Sequence, residues 1–100
     1  MATPFQTYTI HYQSAPLIQA YVQIFNGGSW IGNLNFYTES AALPANTLVG
    51  TTYNINYHLS RFRDVLQILQ YEKPLSVYLG TDGTGMIMTS FEPVGEQEGI

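Results

Sequence analysis

Along Thr7-Tyr8-Thr9-Ile10-His11-Tyr12, Gln19-Ala20-Tyr21-Val22-Gln23-Ile24 and Tyr53-Asn54-Ile55-Asn56-Tyr57-His58, polar residues alternate with apolar or aromatic ones. A period of two is the mark of strands that bury one face and leave the other wet. Extended over the chain, the pattern predicts strands over residues 5–13, 17–25, 30–38 and 51–59, then a pair over 75–79 and 86–91. In the first, Tyr8, Ile10 and Tyr12 share a face opposite Thr7, Thr9 and His11; in the third, Trp30, Gly32, Leu34 and Phe36 oppose Ile31, Asn33, Asn35 and Tyr37. Asn26-Gly27-Gly28-Ser29 joins the second and third as a hairpin, because Asn and Gly tolerate the positive φ of tight turns. Residues 39–50 have no sustained period and read as a connection with a helical turn at Ser40-Ala41-Ala42.

At Ser60 the period changes. Phe62, Val65, Leu66 and Leu69 stand at i, i+3, i+4 and i+7, which makes one apolar stripe on a helix. Ser60 is a suitable N-cap, Asp64 near the start and Lys73 near the end suit the helix dipole, and Pro74 halts continuation. Thr81-Asp82-Gly83-Thr84-Gly85 supplies the turn between the last two strands.

This order, β-β-β-loop-β-α-β-β, specifies an α+β fold: an antiparallel sheet of about five or six strands with one amphipathic helix packed on one face. One domain is expected over residues 1–94, with residues 95–100 a flexible acidic tail. Four strands followed by a helix is an order similar to that of the single-stranded-DNA-binding coactivator and Whirly folds. The similarity is one of topology, without a shared residue motif, and the two strands after the helix depart from it.

Charge then narrows the function. Three Lys or Arg stand against seven Asp or Glu in one hundred residues, a net charge of -4. Only ten residues are charged, against roughly a quarter in an average domain, so the outward faces are built from neutral hydrogen-bonding side chains. An acidic chain lacks the cationic surface on which phosphate-dominated binding depends. There is no cysteine, which excludes disulfides, thiolate chemistry and Cys-rich zinc sites and suits a reducing, cytoplasmic setting. No run approaches the ~18 apolar residues of a spanning helix, so no membrane association is expected.

Individual motifs offer little chemistry. His11 and His58 are the only side chains titrating near neutrality, and each is expected as a strand histidine bonded to a neighbouring Thr or Asn. Neither has a carboxylate at metal-ligand spacing, so no metal and no cofactor is expected. Gly80-Thr81-Asp82-Gly83-Thr84-Gly85 lies between two strands and has the wrong glycine order for a dinucleotide loop. Around Ser29, Ile31 occupies the place where a nucleophile elbow needs glycine. The acidic residues Glu92, Glu96 and Glu98 lie in the aperiodic C-terminal segment, without the fixed geometry an acid/base pair needs.

What remains is collective. Gln19, Tyr21 and Gln23, with Asn33, Asn35 and Tyr37 and with Asn54, Asn56 and His58, form one neutral face of amides and flat rings. With a single helix, that face is expected to stay uncovered by its own chain and to meet a second copy, another protein or a small polar ligand. The expected function is therefore a small non-catalytic binding module, most simply a homodimer. The alternative is a single-stranded nucleic-acid binder that stacks bases on the aromatic face, disfavoured by the charge.

Overall fold

The structure, a computed structural model, describes residues 2–89. The expected tail at 95–100 and the end of the last expected strand lie outside the described residues. Within them the chain has the expected α+β fold, its strands divided between two sheets. A three-stranded sheet has the order β1 (Thr3–Phe5), β7 (Leu75–Leu79), β8 (Gly85–Thr89). A five-stranded sheet has the order β2 (Thr7–Tyr12), β3 (Ile18–Asn26), β4 (Ser29–Tyr37), β6 (Thr52–His58), β5 (Thr47–Val49). A short 3-10 turn, Leu59–Arg61, leads into the single helix α1, Phe62–Tyr71.

The first expected strand therefore serves both sheets. Gln6 is the pivot: its N–H donates to the Phe25 carbonyl at 3.0 Å and its Oε1 accepts from the Gly27 N–H at 2.8 Å. On the β1 side, Thr3, Pro4 and Phe5 pair with Val77, Ser76 and Leu75. Proline is admissible there because β1 is an edge strand.

The β3–β4 hairpin forms as its glycines predict. Gly27 (φ 59°) and Gly28 (φ 87°) both sit at positive φ between the paired residues Asn26 and Ser29, the geometry of a two-residue primed turn. Two register shifts follow in this pair. Gln19 is the extra residue between Ile18, opposite Tyr37, and Ala20, opposite Phe36. Ile31 is the extra residue between Trp30, opposite Phe25, and Gly32, opposite Ile24. The second bulge exchanges the faces expected for Trp30 and Ile31: Ile31 joins the core, and Trp30 is exposed with its indole N–H on Asn33.

One strand pair departs from the antiparallel expectation. β6 lies parallel to β4, with Asn33 beside Asn54, Asn35 beside Asn56 and Tyr37 beside His58. Alternation specifies which side chains share a face, and it is silent on strand direction. The connection after Tyr37 crosses back along the sheet, so the next long strand runs the same way, as parallel pairing requires. Part of that connection, Thr47–Val49, is itself the strand β5, antiparallel to β6. At the position expected for a helical turn there is a single turn closed by the Ala41 N–H on the Thr38 carbonyl.

The core fills the space between the inner face of the five-stranded sheet, the smaller sheet and α1. Val22, Leu34 and Ile55 form one fully buried row across three adjacent strands, with Ala20 and Phe36 beside it. Val65 and Leu69 of the helical stripe are buried in the same cluster as Phe5, Leu75 and Val77. Phe62 closes one end, its ring edge-on to Phe36 and stacked on Tyr12. Ser60 does not cap the helix with its side chain; its backbone N–H instead donates to the Glu39 carboxylate at 2.6 Å. The helix ends at Tyr71, so Lys73 lies beyond its last turn. Among the described residues no helix is long and apolar enough to cross a membrane.

Candidate functional site: the outer face of the five-stranded sheet

Among the described residues, the eight strands contain no Asp, Glu, Lys or Arg. On the outer face of the larger sheet, the registers assemble three rows of neutral side chains. One runs Thr9, Gln23, Asn33, Asn54, Thr47; the next His11, Tyr21, Asn35, Asn56; the third Ile18, Tyr37, His58. Eight of the nine residues expected to form this face do so, and Gln19 is the bulged residue at its margin.

The structure divides the face in two. Around β6 the chain covers itself: Asn56 donates its side-chain amide to the carbonyls of Pro44 (3.2 Å) and Ala45 (3.1 Å), and the His58 Nε2–H donates to the Ala41 carbonyl at 2.8 Å. A carbonyl only accepts, so this contact places a proton on Nε2 of His58. Asn35 and Tyr37 are only 7% and 8% exposed. The expectation of a wholly uncovered face is therefore corrected, because the crossover demanded by the parallel pair runs over its β6 side.

The amides of this closed half orient one another. Asn56 spends its Nδ2 on two carbonyls, so its Oδ1 must face Asn35, which donates Nδ2 to it at 3.0 Å and to Asn54 Oδ1 at 3.3 Å. Asn46 extends the arrangement into the second sheet, accepting the Asn56 N–H at 2.7 Å and donating to the Gly83 carbonyl at 3.0 Å. A chain of neutral amides thus ties the connection, the parallel pair and the β7–β8 turn together.

The half nearer β2 is open. His11 and Tyr21 stack with ring centroids 4.5 Å apart, and the Thr9 hydroxyl meets His11 Nε2 at 3.1 Å and donates to Gln23 Oε1 at 3.2 Å. Trp30, 46% exposed, is held by its Nε1–H on Asn33 Oδ1 at 3.0 Å. His11 and His58 stand on β2 and β6 with two strands between them and two residues out of line, more than roughly 14 Å apart at the usual strand spacing. No shared chemistry joins them. Arg61 lies 6.0 Å from the Tyr57 ring on the inner side, where burial holds the Tyr57 hydroxyl above its ordinary pKa against the opposing pull of that guanidinium. Asp82 sits in the β7–β8 turn, its carboxyl held below the usual range by the Thr84 N–H.

Two features were invisible to period counting. Trp30 reaches the outer face only because of the bulge, for which Gly32 inside a strand was the available signal. A groove of about 670 Å³ lies between the end of α1 and the β1–β2 bend, lined by Phe5, Tyr8, Leu69, Tyr71, Pro74 and Leu75 with Gln6, Gln70, Glu72 and Lys73 as its polar members. Its walls come from two stretches of chain far apart in sequence, residues 4–8 and 69–75. No protein-family model, curated protein or solved structure matches this chain.

Proposed function

We propose that this protein is a small non-catalytic interaction module, homo-oligomeric and cytoplasmic, that associates along the uncharged open side of the larger sheet, where the half-face beside β2 meets the β2 edge. The observation that carries the reading is the lack of Asp, Glu, Lys and Arg from all eight strands of the described residues. A protein that stays apart from its neighbours dresses its sheet edges and faces with charge, whereas contact surfaces are depleted of charge and rich in aromatics at their centre. Tyr21, His11 and Trp30 supply flat apolar area, and Gln23, Asn33 and Thr9 supply neutral donors and acceptors around it. The stacked His11–Tyr21 pair would suit a nucleobase, yet no cation accompanies it, and single-strand binding depends on a basic track.

Sedimentation equilibrium of the full chain tests the proposal, with a dimer expected at micromolar concentration. A protein monomeric at ~100 μM, far weaker than stable complexes of this kind, would overturn it. Titration of a fluorescent single strand separates the alternative: tight binding that falls steeply with salt would transfer the face to nucleic acid. Asn35→Lys would not serve as an interface probe, because Asn35 is already buried and bonded within its own chain.

A further inference from the structure

We infer that two copies join through the outer edge of β2, pairing antiparallel about Ile10 to make one ten-stranded sheet. The inference rests on the self-association proposed above and names its mode.

Every sheet must dispose of the unpaired N–H and C=O groups along its edges, and natural edges do so by brevity, proline, charge or cover. Among the described residues, three of the four edges here have such a device. β1 and β5 are three residues long, and β1 contains Pro4. β8 leans on the other sheet, with Gly85 so close to Ile55 that a Cβ would meet its side chain. β2 has none of these. Its six residues are uncharged and free of proline, they pair with β3 in unbroken register, and their opposite edge has no strand beside it.

Self-pairing of this strand is restricted by its alternation. Antiparallel partners share a face, so a two-fold axis must pass through a residue, not between two. An axis at Ile10 sets Ile10 against Ile10 of the second copy, Tyr8 against its Tyr12, and Thr9 against its His11. Ile10 and Tyr12 are 41% and 71% exposed in the single chain, and this register gives both an apolar neighbour. An axis at Thr9 leaves Tyr12 opposite Gln6, at the bend where the chain departs for the other sheet. No charge opposes its like in the chosen register, since β2 has none. On the outer face, the row Asn54, Asn33, Gln23, Thr9 then continues into His11 and Tyr21 of the second copy, so the two open half-faces merge into one neutral surface.

The chain has no native cysteine, so cross-linking reads the register directly. Opposed residues of an antiparallel pair lie roughly 4.5–5.5 Å apart at Cα, within disulfide reach. Ile10→Cys should oxidise to a covalent dimer, Thr9→Cys should not, and a mixture of Thr9→Cys with His11→Cys should yield the mixed dimer. Ile10→Lys places two like charges on the axis and should raise the dimer dissociation constant about 100-fold or more, with circular dichroism showing the fold retained. A monomeric wild type overturns the self-association reading itself. A wild-type dimer that survives Ile10→Lys and is not trapped by Ile10→Cys overturns the β2 edge while leaving self-association standing. Trapping of Thr9→Cys with itself overturns the Ile10 register.

Discussion

Replacing Gly32 with Ala should be the most damaging single-methyl change among the glycines of the five-stranded sheet and its turns. Gly32 has φ 154°, and a Cβ built on it would lie 2.8 Å from both the backbone N and the Cβ of Tyr53, its partner in the parallel pair. Ordinary contacts of this kind are 3.4–4 Å, and the Tyr53 backbone cannot swing aside as a side-chain tip can. The unfavourable φ costs about 1–3 kcal/mol, and prising the strands apart costs about 1–3 kcal/mol more, the scale of overpacking. Gly50→Ala supplies the control, since Gly50 also has positive φ (64°) but nothing within 4 Å of the added methyl. Its cost should stay near 1 kcal/mol, as loss of chain freedom in the unfolded state offsets part of the backbone strain. The difference, about 2 kcal/mol or more, belongs to the contact with Tyr53. With a urea slope of roughly 1–2 kcal/mol per molar, it appears as a gap of about 1–2 M between the two midpoints followed by circular dichroism. Equal midpoints for the two variants would refute the close approach of β4 and β6 and the bulge that creates it.

Asn56→Ala removes two bonds to the crossover and the acceptor for Asn35, so it should cost about 2–3 kcal/mol in the same denaturation assay and hasten proteolysis within residues 41–46. A loss under about 0.5 kcal/mol, the range of an ordinary surface change, would show that the amide chain is not a structural tie. Phe62→Ala should cost about 2–4 kcal/mol through lost ring contacts with Tyr12 and Phe36, while exposed Gln67→Ala stays within about 0.5 kcal/mol; equal effects would mean that the helix does not anchor the core.

Much of this architecture was legible in the residues because one-sided burial writes a period into the chain. The strands around Tyr21, Leu34 and Ile55 and the stripe Phe62, Val65, Leu66, Leu69 appear where alternation and helical spacing put them. Strand direction was not legible, since a parallel and an antiparallel neighbour of Leu34 demand the same side chain. Nor was the division into two sheets, because Gln6 interrupts the alternation by a single residue and its pivot depends on bonds to Phe25 and Gly27, nearly twenty residues away or more. The candidate face was identified as a set, yet its closure around Asn56 and His58 was hidden, because carbonyls of an aperiodic segment accept their N–H groups. Backbone acceptors leave no signature in side-chain pattern.

The pairing of β1 with β7 joins Thr3 to Val77, close to the two ends of the described chain. During synthesis the first strand emerges long before its partner exists, while the β3–β4 hairpin has both halves within a few residues of each other. The larger sheet can therefore begin to assemble early, but the smaller one waits until β7 has been made, and contacts of such long separation are the slow ones to form. Phe5, buried in the finished protein, spends that interval without its native cover. The vulnerable moment for this molecule is thus on or just off the ribosome, when Phe5 and the uncharged β2 edge beside it are offered together to whatever chain is nearest.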